Sequence, residues 1–92
     1  MNYEEQMANL KIEWTDQYVQ VRSDHPTLSR FRNTIGRVVT VNGNLDCIVD
    51  FQDGGWYDVV PSQLVKASDQ HNAATLYQAK KNSAQRVPVR QG

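Results

Sequence analysis

Four aspartates, Asp46, Asp50, Asp53 and Asp58, fall in one short stretch, the kind of cluster that could hold a metal ion. Their spacing does not follow the calcium loop D-x-[DN]-x-[DN]-G-x5-E, in which ligands alternate along the loop and a glutamate closes it. Asp46 and Asp50 fall instead on the outward positions of a strand pattern, where carboxylates are solvated. His25, His71 and Cys47 could in principle serve a metal or a nucleophile. No C-x-x-C or H-x3-H pair accompanies them, and no triad pattern supports them. The phosphate-cradling loops G-x-x-x-x-G-K-[ST] and G-x-G-x-x-G are both missing from the sequence. The expectation is a chain with no catalytic residue, no metal ligand and no cofactor, hence not an enzyme.

Recognition chemistry is better represented. Arg22, Arg30, Arg32 and Arg37 gather around one polar stretch, with Phe31 between two of them. Guanidinium groups bind carboxylates and phosphates through paired hydrogen bonds, so this group suits an acidic or phosphate-bearing partner. The corner Asp53-Gly54-Gly55-Trp56-Tyr57 adds two aromatics that offer large apolar area at small entropic cost. Because strand residues alternate, one of Trp56 and Tyr57 should point into the core and the other outward.

These groups must be positioned by strands. Tyr18–Arg22 alternates and is rich in β-formers. A long polar stretch, Ser23–Thr34, follows; Pro26 within it cannot donate to a ladder. Gly36–Val41 is the second strand. Asn42-Gly43 then predicts a tight hairpin with positive φ at both residues. Asp46–Gln52 is the third strand, with Cys47, Val49 and Phe51 on one face. Asp53-Gly54-Gly55 is a second tight turn. Trp56–Val60 is the fourth strand, Pro61-Ser62-Gln63 a 3-10-like turn and Leu64–Ala67 the fifth strand.

Polar extensions flank this unit. Tyr3, Met7, Leu10 and Trp14 are spaced by four, three and four, which puts them on one helical face. Asn2 and Glu5 form a capping-box pattern, and the helix is expected to run to about Leu10. The alternation of Leu10, Ile12 and Trp14 would also fit a strand. The apolar stripe predicts packing either on the chain's own sheet or on a second protomer, which would make a homodimer. Ser68 is the expected cap of a second helix to about Asn82, with Ala73, Leu76, Tyr77 and Ala84 as its stripe. Beyond Ser83 the sequence reads as extended and disordered.

The fold class expected is mainly β: an SH3-like five-stranded barrel with short helical or disordered N- and C-terminal extensions. Its three parts are residues 1–17, a barrel over 18–67 and a mildly basic tail over 68–92. Such a meander closing on itself reduces exposed edges.

Composition narrows the function classes. The chain has 92 residues, enough for one domain. Ten Lys+Arg balance ten Asp+Glu, which disfavours a general nucleic-acid binder because phosphate neutralisation needs an excess of bases. The lone Cys47 excludes an intramolecular disulfide. No apolar run approaches the ~20 residues of a membrane span. The N-terminus has acids where a secretory leader has bases, so a cytoplasmic location is expected.

The run VDFQDGGWYDVVPSQLVKA, Val49–Ala67, has the form V-x-F-x-(D/N)-G-x-W followed by a distal Leu. It resembles the second half of several SH3-like families. One is the small ferredoxin-docking subunit of the photosynthetic NADH-dehydrogenase-like complex. Another is the variable chain of ferredoxin–thioredoxin reductase, which VQVRSDHPTLSRFRNTIGRVVTV also resembles through its long first loop. Tudor-like and KOW-like modules share the strand–turn–strand shape. The resemblance implies a non-catalytic protein-binding module acting as a small accessory or regulatory subunit, with an electron-transfer complex as one setting and an acidic protein as partner. The docking face expected comprises Arg22, Arg30, Phe31, Arg32, Arg37, Asp53, Trp56 and Tyr57. The alternatives are a KOW- or Tudor-like nucleic-acid or chromatin-type binder, which would add Lys80, Lys81, Arg86 and Arg90, and a noncatalytic subunit of a larger enzyme.

Overall fold

The computed structural model describes the backbone of residues 2–86 and the side chains of residues 2–80. Five strands form one antiparallel sheet: β1 (Tyr18–Val21), β2 (Gly36–Val41), β3 (Cys47–Asp50), β4 (Trp56–Val59) and β5 (Leu64–Lys66). Helix α1 (Tyr3–Trp14) precedes the sheet and α2 (Gln70–Arg86) follows it; single 3-10 turns cover Ser29–Phe31 and Pro61–Gln63. The strand order is β4-β3-β2-β1-β5. β4 and β5 are therefore the two edges, and the sheet is open rather than the closed barrel expected. After β4 the chain turns at Pro61, which has no N–H to give a ladder, and Gln63 N–H bonds back to Val60 C=O at 2.9 Å. It then pairs with β1 on the far side, Gln20 opposite Val65.

The alternation in the sequence decides the buried face. Val19, Val38, Cys47, Val49 and Phe51 are fully buried, and Val21, Val41, Val59 and Leu64 nearly so. Leu28 and Phe31, from the loop between β1 and β2, join the same cluster. So does Trp14, 8% exposed, at the last position of α1. Helix α1 therefore runs a full turn beyond Leu10, and the strand alternative for Leu10–Trp14 fails because Ile12 lies 82% exposed on its outer side. Asn2 caps the helix as expected, its side chain accepting from Glu5 N–H. Met7 and Leu10 pack against the core, and Tyr3 donates its hydroxyl to Gly43 C=O at 2.6 Å. The apolar stripe is thus applied to the chain's own sheet, the first of the two packings it allows. The turn into β1 uses Asp16 at φ 65°, whose N–H bonds Val38 C=O.

Two turn details differ from expectation. Asn42-Gly43 does not form a two-residue hairpin. Asn42 Oδ1 accepts from the N–H groups of both Asn44 and Asp46, and the left-handed position falls on Leu45, φ 65°. The Asn side chain competes with the backbone for those donors and lengthens the loop. At α2 the cap is Asp69, whose carboxylate accepts from Asn72 N–H, rather than Ser68. Of the predicted stripe, Ala73 and Tyr77 are buried while Leu76 is 53% exposed; Ala84 lies outside the described side chains. The helix continues to Arg86, so residues 83–86 are helical rather than extended and disordered as expected; the rest of that expectation, residues 87–92, lies outside the described residues.

Candidate docking corner

The loop from Arg22 to Ile35 is tied down from within. His25 Nδ1 accepts from Thr27 N–H and Leu28 N–H, which bends the chain so that Leu28 enters the core. Phe31 N–H then bonds Leu28 C=O, and the single 3-10 turn delivers Phe31 onto Phe51. The two rings stack at 4.5 Å with 3° between their planes, and Tyr57 lies tilted against both. This aromatic layer is the floor of the corner.

Arg30 lies on that floor. Its guanidinium carbon is 4.4 Å from the Phe31 ring centroid and 5.8 Å from that of Tyr57, within cation–π range. Nη1 donates to Thr27 C=O at 3.2 Å and Nη2 to the Tyr57 hydroxyl at 3.3 Å. The Tyr57 hydroxyl in turn donates to Asp53 Oδ2. Asp53 Oδ1 accepts from Gly55 N–H at 3.3 Å, closing the tight turn in which Gly54 sits at φ 101°. The hydrogen bond from Tyr57 holds the Asp53 carboxyl below its ordinary range, and the same bond raises the Tyr57 phenol. An Arg–Tyr–Asp chain thus bridges the first loop to the β3–β4 turn. A guanidinium has five N–H donors, so Arg30 keeps donors to offer outward after these two bonds.

Four of the expected residues are brought together here: Arg30, Phe31, Tyr57 and Asp53. The other four are not. Trp56, 62% exposed, projects from the opposite face of β4 to Tyr57, as alternation requires. Arg22 lies beside Asp24 at 3.6 Å. Arg32 is exposed, and its carbonyl accepts from Gln20 Nε2. Arg37 is held by Asp16 at 2.7 Å. It also belongs to a cross-strand row on the outer face, in which Trp56, Asp50, Arg37 and Tyr18 are successive register partners.

That row carries α2, which the sequence did not connect with the sheet. Tyr77 donates its hydroxyl to Asp50 Oδ2 at 3.0 Å and meets the Tyr18 ring edge-on at 5.5 Å. Burial, opposed in part by Arg37 and reinforced by Asp50, raises the Tyr77 phenol. Gln70 accepts from Tyr18 N–H and donates to Tyr18 C=O and Ala67 C=O, each at 2.8 Å, imitating a strand partner. Lys80 Nζ donates to Phe51 C=O at 3.2 Å, so this tail base is engaged with the sheet. The side chains of Lys81 and Arg86, and all of Arg90, lie outside the described residues.

The remaining chemistry-bearing residues are dispersed. Among the described residues no three of His, Cys, Asp and Glu gather where a metal could bind, and no helix is long and apolar enough to cross a membrane. Cys47 is fully buried, and burial, with Asp46 nearby, pushes its thiol up to about 11. Neither the protein-family models, nor the curated proteins, nor the solved structures with which the chain was compared include a match.

Proposed function

We propose that this protein is a non-catalytic, SH3-like protein-interaction module that acts as a small accessory subunit and docks an acidic partner through the Arg30 corner. The SH3-like reading rests on the strand order, the long first loop and the 3-10 turn before β5. The observation that carries the docking reading is Arg30 itself. An exposed guanidinium is held over Phe31 and beside Tyr57 by two hydrogen bonds, so it is already ordered and less entropy is lost on binding a carboxylate. An acidic electron-transfer protein is the partner that the resemblance to ferredoxin-docking chains implies. The nucleic-acid alternative needs a continuous basic strip, and Arg22 and Arg37 each lie beside a carboxylate.

The test is an affinity pull-down from native lysate with the wild type and an Arg30→Ala, Arg32→Ala variant whose fold is checked by circular dichroism. The expected result is a protein partner retained at low salt, released by moderate salt and lost in the variant. Recovery of nucleic acid, or a partner list unchanged by the substitutions, would overturn the reading.

A further inference from the structure

The outer edge of β4 is open in a specific way. β4 pairs with β3 alone, Asp50 opposite Trp56 through Cys47 opposite Val59. Among the described residues no group outside β3 hydrogen-bonds the backbone of this strand; the Tyr57 hydroxyl is engaged with Arg30 and Asp53, and the one neighbouring backbone bond is Gln63 N–H to Val60 C=O, just past its end. Unpaired backbone donors and acceptors along a sheet edge are a template for another strand. Edges are ordinarily blunted by Lys or Pro, and β4 has neither between Trp56 and Val59. The other edge, β5, is a residue shorter and ends on Lys66, which is drawn to Glu13 and over the Trp14 ring.

The side chains beside the β4 edge define what could be added. Trp56 and Asp58 are two residues apart and project from the same face; both are exposed. No hydrogen bond or ion pair engages the Asp58 carboxylate among the described residues. Val60, 51% exposed, continues the apolar surface past the strand. A second copy of β4 fits poorly, because WYDVV brings another acid and no base.

We infer that the β4 edge accepts an extended peptide segment from a partner protein by strand addition, with a Lys or Arg opposite Asp58 and an apolar residue, two positions on, opposite Trp56. Main-chain hydrogen bonds supply the affinity of such a complex and the alternate side chains its selectivity. Cross-strand pairing of opposite charges and of an apolar side chain with an aromatic ring contributes in the same way as within a sheet. The inference deepens the interaction-module reading; of the docking residues expected from the sequence it uses Trp56, which stands apart from the Arg30 corner. The Arg30 corner and the β4 edge fail separately: the pull-down reads the corner through an acidic partner protein, and the titration below reads the edge through a capped Arg-bearing peptide that carries no carboxylate for Arg30 to bind.

The experiment is a titration of the isotope-labelled full chain with the peptide acetyl-Thr-Arg-Thr-Ile-Thr-amide, followed by amide chemical shifts. The comparison peptide carries Glu in place of Arg. The expected result is saturable shifts confined to β4 and its flanks, with the Arg peptide bound more tightly by roughly threefold or more, the scale of one cross-strand charge pair. In Asp58→Lys, an exposed and fold-neutral change, the preference reverses. Shifts absent at millimolar peptide, shifts centred on β5, or equal binding of the two peptides in wild type and Asp58→Lys would each overturn the inference.

Discussion

At the scale of single residues, Gly36 and Cys47 are both buried, and Gly36 lies against the floor of the candidate site. A Cβ on Gly36 would lie 2.7 Å from Phe51 Cε1, 2.8 Å from Phe51 Cδ1 and 2.8 Å from Val49 Cγ1. Both side chains are fully buried, so neither can yield cheaply. Overpacking of this kind costs about 1–3 kcal/mol, and Gly36→Ala is expected to lose that much in urea unfolding while disturbing the Phe31–Phe51 stack beneath Arg30. A loss below the error of the unfolding curve would mean that the stack shifts freely. Cys47 gives the pH prediction. Its folded thiol is raised from 9.0 to about 11, so the neutral thiol is the favoured form. The resulting contribution to stability is complete below the unfolded value and is lost as pH rises from about 9 through about 11. Because the thiolate is the reactive species, alkylation of the native protein at pH 8 should be far slower than in denaturant. Equal rates would place the sulfur at the surface.

At the scale of elements, α2 is attached by few groups. Its buried side chains among the described residues are Ala73 and Tyr77, and its polar ties to the sheet and its flanks run through Gln70, Gln52, Tyr77 and Lys80. Helices whose polar face dominates depend on such docking, since propensity alone seldom holds one in water. Tyr77→Ala is expected to release α2 while leaving the sheet folded. Hydrogen exchange would then show α2 amides unprotected and β1–β3 amides close to wild type. Loss of protection in the sheet as well would show that α2 belongs to the cooperative core. The turn between β2 and β3 teaches a different lesson. Asn-Gly is a strong hairpin signal, yet the side chain of Asn42 takes two backbone donors and hands the left-handed position to Leu45.

At the scale of the whole molecule, one layer of sheet cannot bury its apolar face alone, and a small domain has little surplus stability to spend. Helix α1 supplies the cover: Trp14 enters the core, and Met7 and Leu10 pack against it. The sheet stays open at β4 and β5, which leaves an edge that a closed barrel would have removed. The two faces of β4 also separate the aromatics of the corner. Tyr57 goes to the Arg30 side, and Trp56 stands at the end of the outer row that carries α2. The surface seen as one patch in the sequence is therefore two, joined along one strand.

Period and turn chemistry were enough to read the strands from the sequence, because each depends on residues within a few positions of one another. The inward set Cys47, Val49 and Phe51, the turn at Gly54, the 3-10 turn at Pro61 and the helical stripe from Tyr3 to Trp14 are of this kind. The candidate site was half legible: arginines and aromatics mark a recognition surface by type, but not which of them meet. Only tertiary structure decided that Arg30 lies on Phe31 and reaches Tyr57, that Arg37 turns to Asp16, and that Gln70 and Tyr77 bind α2 to the sheet. Those contacts join residues far apart in the chain, and their choice depends on packing geometry that no local pattern encodes. Closure belongs to the same class: whether β4 and β5 meet depends on the twist accumulated across all five strands, a property of the whole sheet.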